Sequence, residues 1–289
     1  MRLKLLYLTL ILCFLAVRPV MAEGPVWKVS KGEDHVFIGG TIHLLGEKDY
    51  PLPTSFYRGY DASHIVVFEI DPDIASSPEA QQKFAQHARY NDGRTLKSVL
   101  NDNTYAELST FLSERGMSIS SFEQFKPSML SVVLTVLELQ RLGLAGIGVD
   151  EFFNKRAKSD GKQRLFLETI DDQFNALLST GAGKENKVII QAIDELEKMS
   201  QVMQQTKQAW RQGDNDALMA VALDPWKDDF PKLYQALLVD RNSRWIPQIK
   251  AFMQTPEVEY VLVGALHLVG PDGLLDLMKA QGYEVKRLR

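Results

Sequence analysis

Two kinds of hydrophobic pattern alternate along the chain. Val36-Phe37-Ile38, His64 to Ile70, Gln163 to Leu167 and Tyr260-Val261-Leu262-Val263 are short, largely β-branched or aromatic runs. Their length and composition suit buried strands rather than helices. Val26 to Ser30 and His35 to Ile38 flank Gly32-Glu33-Asp34 and read as a β-hairpin. Tyr283 to Leu288, after Gly282, reads as a closing strand. Between these runs apolar residues recur at helical spacing: Ser55 to Asp61, Pro78 to Tyr90, Thr104 to Arg115, Ser128 to Leu142, Val149 to Lys158 and Asp272 to Gln281. Lys184 to Trp210 is a long amphipathic helix carrying Val188, Ile189, Ile193, Leu196, Met199, Val202 and Met203 on one face. Asp224-Pro225 is expected to break the helical stretch after it, and Asp240-Arg241-Asn242-Ser243-Arg244 to open another helix.

Strands at both ends and in the middle, separated by helical blocks, predict an α/β (α+β) domain. A central mixed β-sheet would carry helical insertions at about 73–146 and 171–255. The first 22 residues stand apart. Arg2 and Lys4 precede an apolar run from Leu5 to Val17, and Val20-Met21-Ala22 offers small residues where a signal peptidase cuts. They read as a cleaved signal peptide, with residues 23–289 as one exported domain, periplasmic or secreted. Its net charge is then more negative than the −4 of the full chain. With no basic stripe, a nucleic-acid partner is not expected. The one cysteine, Cys13, lies in the leader. Disulfides and thiolate ligands are thereby excluded from the mature domain. No later run is long enough for a transmembrane segment.

One phrase occurs twice. Gly40-Thr41-Ile42-His43-Leu44-Leu45-Gly46 is echoed by Gly264-Ala265-Leu266-His267-Leu268-Val269-Gly270, each following a strand-like run. In α/β sheets ligands gather beyond the carboxyl ends of strands. His43, Glu69, Glu168 and His267 each follow or end such a strand, so parallel neighbours would bring them to one rim. Two imidazoles and one or two carboxylates suit a divalent metal such as Mn, Co or Zn. His43, His267 and Glu69 are the expected ligands, with Glu69 or Glu168 free to act as base. Arg241, read at a helix start, could bind a substrate carboxylate or a developing oxyanion. Asp150 at the start of a helix is equally well explained as a cap. His35, His64 and His87 lack a matching context and read as structural or surface residues. The signatures of serine hydrolases, Walker loops and dinucleotide sites are missing from the sequence.

At these residues the chain resembles the TraB/GumN family, which includes the animal Tiki proteins. The resemblance runs over nearly the whole mature chain. It includes Gly40-Thr41-Ile42-His43 with Pro51-Leu52-Pro53, Phe68-Glu69-Ile70-Asp71, Gly148-Val149-Asp150, Leu167-Glu168, Asp240-Arg241-Asn242 with Trp245, and Val263 to Leu274. The resemblance implies a fold like that of the ChaN-like and erythromycin-esterase-like proteins. It also implies a metal-dependent hydrolase, peptidase-like, in which His43 and His267 bind the metal and Glu69 is ligand or base. The same likeness leaves room for two alternatives: a non-catalytic haem or small-ligand protein, and a metal-free His/Glu esterase-like hydrolase. The substrate, a peptide or a small molecule, is not given by it.

Overall fold

The computed structural model describes residues 24–178 and 183–289. Residues 1–22, the expected leader, lie outside them. Six strands form one mixed sheet: β1 (Val26–Lys31), β2 (Asp34–Thr41), β3 (Ile65–Phe68), β4 (Gln163–Phe166), β5 (Glu259–Gly264) and β6 (Glu284–Arg287). Their spatial order is β4-β3-β5-β2-β1-β6. The first four in that order are mutually parallel, and β1 runs antiparallel to both its neighbours. The two copies of the repeated phrase therefore leave adjacent strands, with Thr41 registered against Gly264. β3 flanks β5 on its other side, with Phe68 opposite Leu262, and Phe68 pairs with Phe166 of β4. All four candidate side chains follow strands whose carboxyl ends share one rim.

The principal helices are α1 (Thr54–Asp61), α2 (Pro78–Ala88), α3 (Asp102–Glu114), α4 (Pro127–Arg141), α5 (Val149–Asp160), α6 (Ile170–Leu178), α7 (Glu185–Gln212), α8 (Asp240–Phe252) and α9 (Leu274–Ala280). Strands β2, β3 and β5 are apolar almost throughout, as strands covered on both faces must be. Aromatic rings join the sheet to its helices: Phe153 of α5 stands edge-on to Tyr260 and packs against Phe56 and Tyr60 of α1. A second apolar cluster sits outside the sheet, built from Leu108, Phe111 and Leu112 of α3, Leu130 and Leu134 of α4, and Ile189, Ile193 and Leu196 of α7. Helix α7 thus serves two cores. Its first half packs in this helical cluster, and Trp210 near its end is buried beside Phe56 and donates its indole N–H to the Gly40 carbonyl at 2.7 Å.

Two sequence expectations about helix boundaries are corrected. Asp224-Pro225 does not break the chain: Asn215–Leu218, a wide π turn at Met219–Leu223 and Asp224–Asp229 succeed one another without interruption. Pro225 comes directly after the π turn, whose i→i+5 bond from the Asp224 N–H to the Met219 carbonyl replaces the regular helical pattern just ahead of it. The break comes earlier, at Gly213, whose positive φ of 62° ends α7 in a left-handed cap. Nor does Asp240 open a helix. Pro231–Tyr234 leads through a second π turn, Gln235–Val239, directly into α8, so Arg241 sits in the interior of a helical run.

Candidate functional site

His43 lies two residues beyond β2. Its position is set by the backbone of the α5 entry, where Val149 N–H donates to the Ile42 carbonyl at 3.0 Å. Gly148 makes this approach possible, since a Cβ there would fall 2.0 Å from the His43 carbonyl oxygen. Asp150, the second residue of α5, meets the rim. Its carboxylate accepts from His43 Nδ1 at 2.8 Å and from Thr41 Oγ1 at 2.9 Å. A carboxylate only accepts, so Nδ1 carries a proton and Nε2 is the atom left for chemistry. The Asp150 charge raises the His43 pKa from 6.5 to about 9 against a smaller opposing effect of burial. The side chain is 64% exposed, so solvent screens part of the attraction. The direction is clear: the imidazole favours its protonated form.

Glu69 follows β3 and is buried. Its Oε1 accepts the Gly264 N–H at 2.6 Å, and its Oε2 accepts Arg241 Nη2 at 2.5 Å and Gln173 Nε2 at 3.3 Å. Burial alone would raise its pKa. Arg241, the two histidines and the Gly264 N–H outweigh that and hold it down at about 2. Glu168, beyond β4, faces the same guanidinium and accepts from Arg241 Nε at 3.0 Å and Nη2 at 2.6 Å.

Arg241 is fully engaged. Nε donates to Glu168, Nη2 to Glu69 and Glu168, and Nη1 to the Leu237 carbonyl at 3.1 Å and to His267 Nε2 at 3.0 Å. All five guanidinium hydrogens are thereby used. Burial disfavours the Arg241 charge, but the two glutamates more than restore it and its pKa is raised.

The tautomer of His267 is set by its neighbours. Asn242 Nδ2 donates to the carbonyls of His267 and Asp272, at 3.2 and 2.8 Å, so its amide oxygen is the atom 2.7 Å from His267 Nδ1. Nδ1 therefore carries hydrogen, and Nε2 keeps the lone pair that accepts from Arg241. The ring centre lies 4.5 Å from that of Trp245, with the two planes tilted by 43°. Burial is the main cause that lowers its pKa, to about 3, so the ring is neutral.

Among the described residues, His43 through Nε2, Glu69 through the remaining lone pair of Oε1, and Thr206 through an Oγ1 that has no hydrogen-bond partner are left with capacity toward the open space. A Cβ built on Gly264 would lie 3.3 Å from Glu69 Oε1, 3.9 Å from His43 Nε2 and 3.6 Å from His267 Cδ2. The absent side chain of Gly264 is thus the space around which these groups converge. It opens into a cavity of about 380 Å³ lined by His43, Glu69, Arg241 and His267, by Thr41, Gln173 and Thr206, and otherwise by apolar side chains.

All five candidate residues come together: His43, Glu69 and His267 around Gly264, with Arg241 and Glu168 behind them. Their expected roles fare differently. Arg241 has no N–H to offer a substrate carboxylate or an oxyanion. His267 Nε2, the expected metal donor, is taken by a guanidinium, and the same positive group lies on Glu69. A divalent cation does not fit this arrangement of donors. Among the described residues, no group of three or more His, Cys, Asp or Glu side chains is placed to hold a metal ion. Asp150, for which a cap and a functional role are equally good readings of the sequence, pairs with His43, while Gly148 occupies the cap position. Asn242, Gln173 and the Gly264 N–H are further partners that had no role assigned from sequence. Asp150 and Asn242 do sit inside motifs shared with the family, which was the available signal.

Comparison with known proteins agrees with the motif reading. A sequence model of the TraB/PrgY/gumN family matches residues 25–287. The chain is 24% identical over 253 residues to YbaP of Escherichia coli (strain K12), an uncharacterized protein, covering 86% of this chain and 89% of YbaP. YbaP of Shigella flexneri matches to the same extent. No solved structure matches the chain. The repeated Gly-x-x-His strand ends, their buried Glu and Arg partners and a match spanning nearly the whole described chain place it in the TraB/PrgY/gumN family.

Proposed function

We propose that the chain is an exported hydrolase that cleaves an ester or amide by acid–base catalysis at His43 and Glu69, without a metal step. Two groups with oppositely displaced pKa values facing one gap are the signature of an acid–base pair. Glu69, ionised, takes a proton from a water molecule as that water attacks the substrate carbonyl carbon. The carbon–oxygen bond to water forms while the bond to the leaving group breaks. His43, protonated and oriented by Asp150, donates its Nε2 proton to the leaving oxygen or nitrogen. The proton held by Glu69 returns to His43 through solvent, and acid and alcohol or amine depart. Arg241 and Glu168 act behind this pair, keeping Glu69 ionised and His267 neutral. Export rests on the leader-like residues 1–22 alone.

The observation that carries the proposal is the convergence of His43 Nε2 and Glu69 Oε1 on the space beside Gly264. The test is hydrolysis of p-nitrophenyl esters and chromogenic amides by purified protein after exhaustive chelation. Activity is expected to survive, and His43→Gln and Glu69→Gln each to reduce kcat by about 10²- to 10⁴-fold, the range for general acid–base groups. The rate should hold on the acid side of neutrality and fall as pH rises toward about 9, where His43 loses its proton. A rate that instead fell on acidification through about 6.5 would mean a neutral His43 acting as base.

A second reading, a metal-dependent hydrolase, has one observation in its favour: two imidazoles and a carboxylate surround the same space. It requires Arg241 to release His267 Nε2. Loss of activity on chelation and recovery with one equivalent of Mn, Co or Zn would select it.

A further inference from the structure

The shape and charge of the cavity narrow the substrate. Most of its lining is apolar, formed by Ile42, Met203, Leu218, Leu237, Leu238 and Leu266, with Thr206 Oγ1 as a buried hydroxyl among them that has no hydrogen-bond partner. These come from the β2 exit, α7, the segment before the first π turn, the second π turn itself and the second copy of the repeated phrase, so apolar surface reaches the space from several elements. Among the described residues no lysine lines it, and Arg241 has every N–H committed to protein acceptors. A carboxylate or phosphate filling the cavity would meet one cation, His43, already paired with Asp150, and otherwise mostly apolar surface at a large desolvation cost. An uncharged apolar group loses nothing there and gains with every buried methylene. At about 380 Å³ the space is near the lower bound of small-molecule pockets, enough for an apolar group of medium size and too small for a folded polypeptide segment.

We infer that the cavity holds the apolar acyl group of an ester or amide, with its carbonyl beside His43 and Glu69 and its leaving group toward solvent on the exposed side of His43. This rests on the hydrolase proposal for the placement of the carbonyl, and adds the identity of the group that fills the cavity. The acyl chain could come from a small acyl ester or from an acylated lipid or peptide, because the cavity wall meets the chain alone.

The experiment has two arms. In the first, p-nitrophenyl esters from acetate to decanoate are assayed with the full mature protein. Each added methylene is expected to raise kcat/KM by roughly three- to fivefold, until the cavity is filled and the series turns down. Leu218→Phe and Leu237→Phe, which add bulk to the apolar lining, should move the optimum to shorter chains. In the second arm, octanamide and acetamide are titrated calorimetrically into His43→Gln protein, where turnover plays no part. Octanamide should bind and acetamide should not, and Leu218→Phe should weaken octanamide. An ester series with no chain-length dependence, or octanamide that binds no better than acetamide, overturns the inference even if esters are hydrolysed. Chain-dependent binding with no ester or amide turnover leaves the acyl cavity standing and removes the hydrolase reading. Comparing octanoyl-peptide with a simple octanoyl ester then separates the two sources of the chain.

Discussion

At the scale of single residues, Arg241 decides what the site can do. A guanidinium between two buried carboxylates and an imidazole would be costly if any partner were missing. Here each N–H has an acceptor, and each acceptor is thereby fixed. Arg241→Ala would leave Glu69 and Glu168 facing one another without a cation, and should cost on the order of 3–5 kcal/mol of folding stability. Arg241→Lys should recover little of it, because a point ammonium cannot reproduce the fork that serves Glu69, Glu168 and His267 together. Chemical denaturation of the two variants checks this; a lysine variant as stable as the parent would contradict it. The residues of this cluster were legible in the sequence, since a carboxylate closing an apolar strand needs a partner. Their partners were not. Asp150 is at a helix start and a cap explains it equally well, until the close approach of Gly148 to His43 turns its carboxylate toward the imidazole. Arg241 looked like a free cation because its acceptors lie far away in the chain.

At the scale of elements, the strands were readable and the helix phases were not. β2, β3 and β5 are runs of β-branched and aromatic residues that suit no other state, and the structure forms a strand at each of them. Pairing could only be stated as a condition; the parallel register of β2 on β5 is what sets the two phrases side by side. The boundaries at Asp224-Pro225 and Asp240 went astray for a shared reason. Each is preceded by a π turn, Met219–Leu223 and Gln235–Val239, which carries the helix past a residue that normally stops or starts one. An inserted residue of this kind also rotates the helix beyond it, and such bulges often lie at functional sites. Here Leu237 and Leu238 of the second π turn line the cavity, and Arg241 comes one residue after Asp240. The end of β5 carries the next expectation. Gly264 has φ −51° and ψ 135°, which alanine adopts freely, so Gly264→Ala should fold with a melting temperature close to the parent. Its methyl would press on Glu69 Oε1 and occupy the gap toward His43, lowering kcat by about tenfold or more through misplacement of the reacting groups. Unchanged turnover in a folded Gly264→Ala protein would show that the reaction takes place elsewhere.

At the scale of the whole molecule, the site is built on a seam where sheet, helices and loops place opposite charges in the interior. That makes stability depend on pH in a defined way. His267 is held neutral with its pKa lowered to about 3, so its contribution weakens as pH falls from about 6.5 toward 3. Glu69, lowered to about 2, contributes above about 4.5 and loses that contribution as pH falls through 2. His43 acts in the other sense: its raised pKa gives stability that is complete below about 6.5 and is lost as pH rises through about 9, less strongly because the ring is exposed. Thermal melts should therefore show a falling midpoint as pH is lowered from 6.5 to 4. A midpoint flat across that range would contradict a neutral, buried His267.

The most direct test of the site is the protonation state of its two histidines, read from the ring nitrogens by long-range proton–nitrogen NMR between pH 4 and 9. His267 should stay neutral with hydrogen on Nδ1 across the whole range, His43 should titrate well above 6.5, and one equivalent of zinc should shift neither Nε2. A His267 ring that carries hydrogen on Nε2, titrates near 6.5, or shifts on binding zinc would contradict the acid–base site described above.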